Sequence, residues 1–245
     1  MDIQTIFADS DILVLNKPPG VVVNPAESVK EETVFDWIKS GQEWFMPYRD
    51  LTDEFSLRAG IAHRIDKETS GILLVAKNPA AFVELQRQFK EREITKTYLA
   101  IAHGKLVPSK GQINAPVGRL PWNKEQFGVI PGGKESVTEY EVIKHLKFAD
   151  AGTVEIFSLV KLFPKSGRTH QIRVHLKYLG FPILGDYLYA GRKVSRDDRN
   201  WAPRVMLHAH EIVFTHPATR NQVKFNAPVP PDMQTILDSA EEIIS

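Results

Sequence analysis

The sequence predicts an α+β fold: a mixed, mostly antiparallel central sheet flanked by helices and loops. Three observations lead there. Short extended runs outnumber helical ones across the chain. The helical stretches do not alternate with the strands one for one, as a parallel α/β sheet would require. No internal repeat, linker or low-complexity segment interrupts the chain, so a single domain over residues 1–245 is expected.

Each element has a local reason. Residues 12–15 form a buried apolar run that ends in the hard turn Asn16-Lys17-Pro18-Pro19-Gly20, and Val21-Val22-Val23 restarts extended structure. Thr33 is placed to cap a short helix carrying Val34, Trp37 and Ile38, which Gly41 closes. Residues 42–59 lack a period and read as loop. The apolar run 72–76 is a strand. Asn78-Pro79 then starts a helix, a capping side chain followed by proline at the first helical position, with Phe82, Leu85 and Phe89 at helical spacing. Residues 94–102 alternate as a strand. The Pro-, Gly-, Lys- and Asn-rich stretch 108–135 reads as a long excursion of the functional kind, with room for a short strand. Strands follow at 137–142 and 154–163. A helix capped by Thr169 carries Ile172, Leu176 and Leu179 and stops at Gly180 and Pro182. Residues 206–215 and 223–225 supply the last strands, around the turn His216-Pro217-Ala218.

Composition narrows the function. The formal net charge is +1, so any polyanionic partner is held by local patches rather than by bulk charge. The chain has no cysteine, which removes disulfides, cysteine-ligated zinc and thiolate nucleophiles. No run of about 18 apolar residues suggests a membrane span, and the N-terminus lacks a signal-peptide pattern. A soluble cytoplasmic protein is expected.

Three constellations carry candidate chemistry. In Gly60-Ile61-Ala62-His63-Arg64-Ile65-Asp66-Lys67-Glu68-Thr69-Ser70-Gly71, one carboxylate, Asp66, sits among Arg64, Lys67 and His63 just before a strand. Cationic neighbours favour the charged carboxylate, which can serve as nucleophile or base, although salt-bridged turns share the pattern. Between residues 161 and 177 there are five Lys or Arg, two His and no acid. On a helix, His170, Arg173 and Lys177 share one face, and with Arg168 near the helix N-terminus they make an anion site or an ordinary basic surface. An Arg buried beside a carboxylate is a third reading. Lys96-Thr97-Tyr98 is the last constellation: a core aromatic, or a ring that stacks on a base with its hydroxyl ready for proton transfer. His170 with His175, and His208 with His210, are poorly spaced for zinc, so no metal is expected. P-loop, dinucleotide and nucleophile-elbow patterns are missing.

Taken together, these motifs resemble the RluA family of pseudouridine synthases. His63-Arg64-Ile65-Asp66 with Thr69-Ser70-Gly71 is similar to that family's catalytic motif. Asn16-Lys17-Pro18-Pro19-Gly20, Lys96-Thr97-Tyr98-Leu99-Ala100, the stretch 167–175, the stretch 179–186 and Leu207-His208-Ala209 fit the others in order. The resemblance implies isomerisation of uridine to pseudouridine in RNA, with no metal or organic cofactor. It implies that Asp66 is the nucleophile, that Tyr98 stacks on the uracil and takes the proton from C5, and that Arg173 pairs with Asp66. Arg64 would fill the space left by the flipped base, and Lys17, Lys96, Arg168 and His170 are the further RNA-binding candidates. The chemistry agrees: detaching a base and rejoining it through C5 needs a nucleophile, and in a chain without cysteine a carboxylate can serve. Flipping exposes atoms hidden in a stack.

Many relatives carry an N-terminal S4-type domain, whereas here the first strand lies almost at Met1, so grip on RNA is expected from the catalytic domain. Asn24-Pro25 stands where relatives often have His-Pro. The excursion 108–135 and the basic stretch Arg192-Lys193, Arg196, Arg199 and Arg204 are the expected RNA contacts. The expected substrate is large-subunit ribosomal RNA, with transfer RNA as the alternative, and the expected state is a monomer. A competing reading is an RNA-binding or folding factor with incidental catalysis; a metal-dependent RNA hydrolase is a third, which a chelator would expose.

Overall fold

The computed structural model describes residues 1–27, 29–150, 153–199 and 202–243. The chain falls into two compact units, residues 1–96 with 209–228, and residues 97–208 with 229–245. The fold is α+β with a mostly antiparallel sheet, as expected.

In the first unit β1 (Gln4–Ala8), β2 (Ile12–Lys17) and β3 (Ser70–Ala76) lie in that order, followed by β10 (Leu207–Thr215), which also pairs with β11 (Gln222–Asn226). β3 is buried at every position, so it reads as an unbroken apolar run rather than an alternating one. α1 (Val34–Gly41) has the expected Thr33 cap, completed as a capping box by Asp36. α3 (Pro79–Glu91) starts at Asn78, whose side chain accepts from Ala81 N–H.

Two expectations change here. Residues 21–23 are not a strand: the Val22 and Val23 carbonyls instead accept the first free amides of α1, from Val34 and Phe35, both at 3.0 Å. Residues 42–59 are not simply loop. A 3-10 turn at Glu43–Tyr48 and the short α2 (Glu54–Leu57) place Phe45 and Phe55 in the core, with ring centroids 5.8 Å apart. Helical pieces this short show no sequence period; aromatic packing holds them.

In the second unit β4 (Thr95–His103), β9 (Thr153–Pro164), β8 (Val137–Asp150) and β12 (Glu241–Glu242) follow in order, and β5 (Lys110–Asn114) pairs with β8. From Leu99 to Ala102 both faces of β4 are buried, so its apparent alternation does not mark an exposed side. The excursion holds three strands, not one. Besides β5, β6 (Val117–Leu120) and β7 (Asn123–Val129) form a separate hairpin arm. α4 spans Gln171–Tyr178. Its N-cap is His170, in a left-handed conformation (φ 55°), one residue later than the expected Thr169. Gln171 explains the shift: its side-chain oxygen accepts from Arg168 N–H (3.0 Å) and the Ser166 hydroxyl (2.7 Å), and its amide donates to Val137 O and Thr138 Oγ1.

Two helices beyond those expected complete the unit, α5 (Arg192–Asp198) and α6 (Pro231–Ser239), the second with Pro231 at its first position as a start signal. The core of this unit gathers Leu99, Ile101, Phe157, Leu162, Leu176 and Met206 around β4, β9 and α4.

Candidate active site

In the first unit the Asp66 loop is held at both ends. On the way in, Ala62 N–H donates to Leu74 O (3.1 Å), and Leu74 N–H donates to His63 Nε2 (2.9 Å). Gln86 of α3 secures the Ala62 carbonyl at 2.7 Å. On the way out, Thr69 N–H returns to Asp66 O at 3.1 Å, closing a tight turn that leads into β3. Asp66 itself is half-buried and Arg64 is exposed.

Lys17 needs correction as an RNA contact. Its side chain is fully buried, and its ammonium donates to the carbonyls of Pro18 (2.8 Å), Val21 (2.9 Å) and Lys67 (3.1 Å). Gly20 N–H reaches the same Lys67 carbonyl at 2.9 Å. An ammonium engaged by three carbonyls inside the protein braces the turn beside Asp66; it does not reach a phosphate.

His63 also departs from expectation. Burial, reinforced by the charge of Lys96, pushes its pKa down to about 3. Its Nε2 accepts the Leu74 amide and its ring lies against Phe89 with centroids 4.9 Å apart. At neutral pH it is an uncharged acceptor, not a cation beside Asp66. Of the other flanking cations, Lys67 makes an exposed pair with Glu31 at 3.7 Å. Lys96 is half-buried, and burial lowers its pKa to about 8.

In the second unit Tyr98 lies on β4 opposite Leu162, half-buried and packed on the core. On α4 the expected shared face exists, with Lys177 exposed and Arg173 turned into the protein. Arg173 is buried (6% exposed) and makes a bidentate pair with Asp186, which is fully buried: Nε to Oδ2 is 2.7 Å and Nη2 to Oδ1 is 2.9 Å. Two parallel charge-assisted bonds fix the plane of the guanidinium. Tyr189 lies against that plane, with Arg173 Cζ 4.9 Å from the ring centroid and Lys177 Nζ 5.6 Å from it. The Tyr189 hydroxyl is 2.8 Å from His170 Nδ1. His170, Arg173 and Lys177 thus converge on one aromatic residue.

Arg168, half-buried, reaches the Glu135 carbonyl at 3.5 Å. His175 is a core residue, bonded to Thr138 Oγ1 (2.9 Å) and Ala115 O (3.0 Å). The expected basic stretch 192–204 divides. Arg192, Lys193, Arg196 and Arg199 are exposed, but Arg204 is buried in a bidentate pair with Asp232 at 2.6 and 2.9 Å and is no RNA contact. Asp198 also turns inward, accepting from Gly185 N–H at 2.8 Å and lying 3.1 Å from His103 Nε2. Among the described residues, no three His, Asp or Glu side chains gather in a metal-binding arrangement.

Asp186 and Tyr189 were not singled out from sequence. One signal was available: Asp186 is the first acidic residue after Glu155, at the end of a strongly basic stretch, and a cation that folds inward there needs a carboxylate.

Comparison with known proteins agrees with this assembly of motifs. A family model described as RNA pseudouridylate synthase matches residues 11–178. An uncharacterized RNA pseudouridine synthase of Bacillus subtilis is 39% identical over 240 residues, covering 98% of this chain and 73% of that protein. The ribosomal large subunit pseudouridine synthase D of Vibrio parahaemolyticus is 35% identical over 245 residues, covering 97% of this chain and 70% of that protein. Among solved structures, human RNA pseudouridylate synthase domain containing 1 superposes with a TM-score of 0.73 at 29% identity, covering 99% of this chain and 89% of that one.

Proposed function

The chain belongs to the RNA pseudouridylate synthase family, of the RluA type, and from that premise we propose that it isomerises uridines of large-subunit ribosomal RNA with Asp66 as the nucleophile. It is an RNA pseudouridine synthase, an intramolecular isomerase whose substrate is RNA. The choice of ribosomal RNA is supported by the 35% identity, over nearly the whole chain, to a protein named for the ribosomal large subunit. Both units serve one catalytic domain, acting as a monomer in the cytoplasm. No described helix is long and apolar enough to cross a membrane.

In this reading the Asp66 carboxylate forms the covalent bond that holds the detached fragment, Tyr98 stacks on the uracil and takes the C5 proton, and Arg173 keeps Asp66 ionised and aimed. Arg64 fills the space left by the flipped nucleotide. Lys96, Arg168 and His170 contact the RNA. The observation that carries the assignment is the state of Arg173: a buried guanidinium fixed by a carboxylate on one edge and a ring on its face. Such preorganisation suits a group whose charge acts on the reaction rather than on bulk solvent. The test is tritium release from RNA labelled at uridine C5, with unmodified large-subunit ribosomal RNA and unmodified transfer RNA as separate substrates. Release from ribosomal RNA alone is expected; release from transfer RNA alone overturns the choice of substrate.

A further inference from the structure

Tyr189 is 3% exposed, and three parts of the structure meet at it: α4, the hairpin arm and the turn from Asp186. Its ring faces the Arg173 guanidinium and the Lys177 ammonium of α4. Its hydroxyl lies against the His170 imidazole at the strained start of that helix. The same hydroxyl accepts the backbone amide of Phe127, in β7 of the hairpin arm, at 3.0 Å. Its own backbone N–H donates to the Asp186 carbonyl at 3.0 Å, so the residue that grips Arg173 by its carboxylate also anchors the turn that carries Tyr189.

The hairpin arm is tied down at this point. Gln126 donates its side-chain amide to Leu188 O at 2.9 Å, and Val117, Val174 and Tyr189 form a small buried cluster with Phe127, Val129 and Leu188 packed on it. Beyond the tie the arm is open and suited to RNA. Trp122 at the tip is 78% exposed, and the Arg119 guanidinium lies 5.1 Å from the Phe127 ring. An exposed indole near cationic side chains is a base-stacking platform. Phe127 therefore touches Arg119 on the arm and, through its amide, the residue beneath Arg173.

We propose that Tyr189 is a positioning residue that links the RNA-gripping hairpin arm to the Arg173 guanidinium, its hydroxyl holding the arm and its ring holding the cation. This rests on the catalytic reading of Arg173. The two ends of the side chain then have separable effects. Loss of the hydroxyl frees the arm and weakens capture of RNA. Loss of the ring lets the guanidinium move and slows the chemical step.

Two variants and two readouts decide the matter. Tyr189→Phe keeps the ring; Tyr189→Leu removes it. In RNA-free protein, hydrogen exchange at the Phe127 amide should quicken at least tenfold in Tyr189→Phe, while exchange along α4 changes little. On whichever RNA pool the wild type turns over, Tyr189→Phe should raise KM more than it lowers kcat, and Tyr189→Leu should lower kcat at least tenfold. A purely structural role would lower kcat, kcat/KM and thermal stability together in both variants, and that result overturns the proposal. So does wild-type exchange at Phe127 in Tyr189→Phe. The exchange measurement needs no RNA, so it decides the tie between Tyr189 and the arm even where the substrate assignment above fails.

Discussion

Replacing Asp186 by Asn leaves the shape of the Arg173 pocket and removes its charge. Both partners are buried, with bonds of 2.7 and 2.9 Å, so the guanidinium is left inside the protein facing a neutral amide. Removing one member of a buried pair costs about 3–5 kcal/mol, because the guanidinium keeps its desolvation cost and loses that carboxylate. The Tyr189 ring at 4.9 Å faces the guanidinium before and after the substitution, so its contribution cancels from the difference. The loss is then about 3–5 kcal/mol, a shift toward the unfolded state of roughly a hundredfold or more. The control is Glu141→Gln, which breaks a pair with Lys110 of similar length, 2.8 Å, whose side chains are 72% and 40% exposed. Solvent screens that pair, and its loss should leave the unfolding midpoint at the wild-type value. Urea unfolding followed by circular dichroism, with hydrogen exchange along α4 to localise the effect, reads both variants. If Asp186→Asn unfolds with Glu141→Gln, the buried pair does not hold α4 in place and the reasoning fails.

Lys96 gives a pH signature. Its folded pKa is about 8 and the unfolded value is ~10.4, so between those limits the unfolded chain holds more protons and stability rises with pH. Lys96→Met should be more stable than wild type at pH 7 and should lack that rise; a wild-type unfolding midpoint that stays flat from pH 8 to 10 refutes it. Trp122→Ala should leave the melting temperature unchanged and weaken RNA binding by about 1–3 kcal/mol per stacked base, as measured by filter binding; unchanged affinity removes the arm from the RNA contacts. Gly71, the second residue of β3, has φ +106°, and a Cβ there would overlap the Ala209 carbonyl, so Gly71→Ala should lower the melting temperature steeply; a near-wild-type melting curve contradicts that packing.

Much of the fold was legible because the signals were local. The Thr33 and Asn78 caps, the apolar run of β3 and the Gly180 stop each act within a few residues of themselves, and the structure keeps all four. The failures share the opposite property. Val21, Val22 and Val23 have strand composition, but their carbonyls are taken by Lys17 and by the free amides of α1. The arm β6–β7 has no clean alternation, and it is fixed by Tyr189 and Leu188, about 60 residues further along the chain. Among site residues, Lys17 and Arg204 were misplaced for one reason: a basic side chain looks the same in sequence whether it meets solvent or a buried acceptor. The shared face of His170, Arg173 and Lys177 followed from helical spacing alone, but the aromatic residue that gathers them lies outside the helix and left no periodic trace.

The role of Asp66 is tested most directly by Asp66→Asn beside the wild type, with tritium release from C5-labelled ribosomal RNA and RNA binding measured on the same preparations. The substitution is nearly isosteric and falls on a half-buried turn whose backbone bonds it leaves in place. Complete loss of release with RNA affinity retained is the predicted result. Release at an undiminished rate would show that another group attacks the nucleotide and would contradict the account.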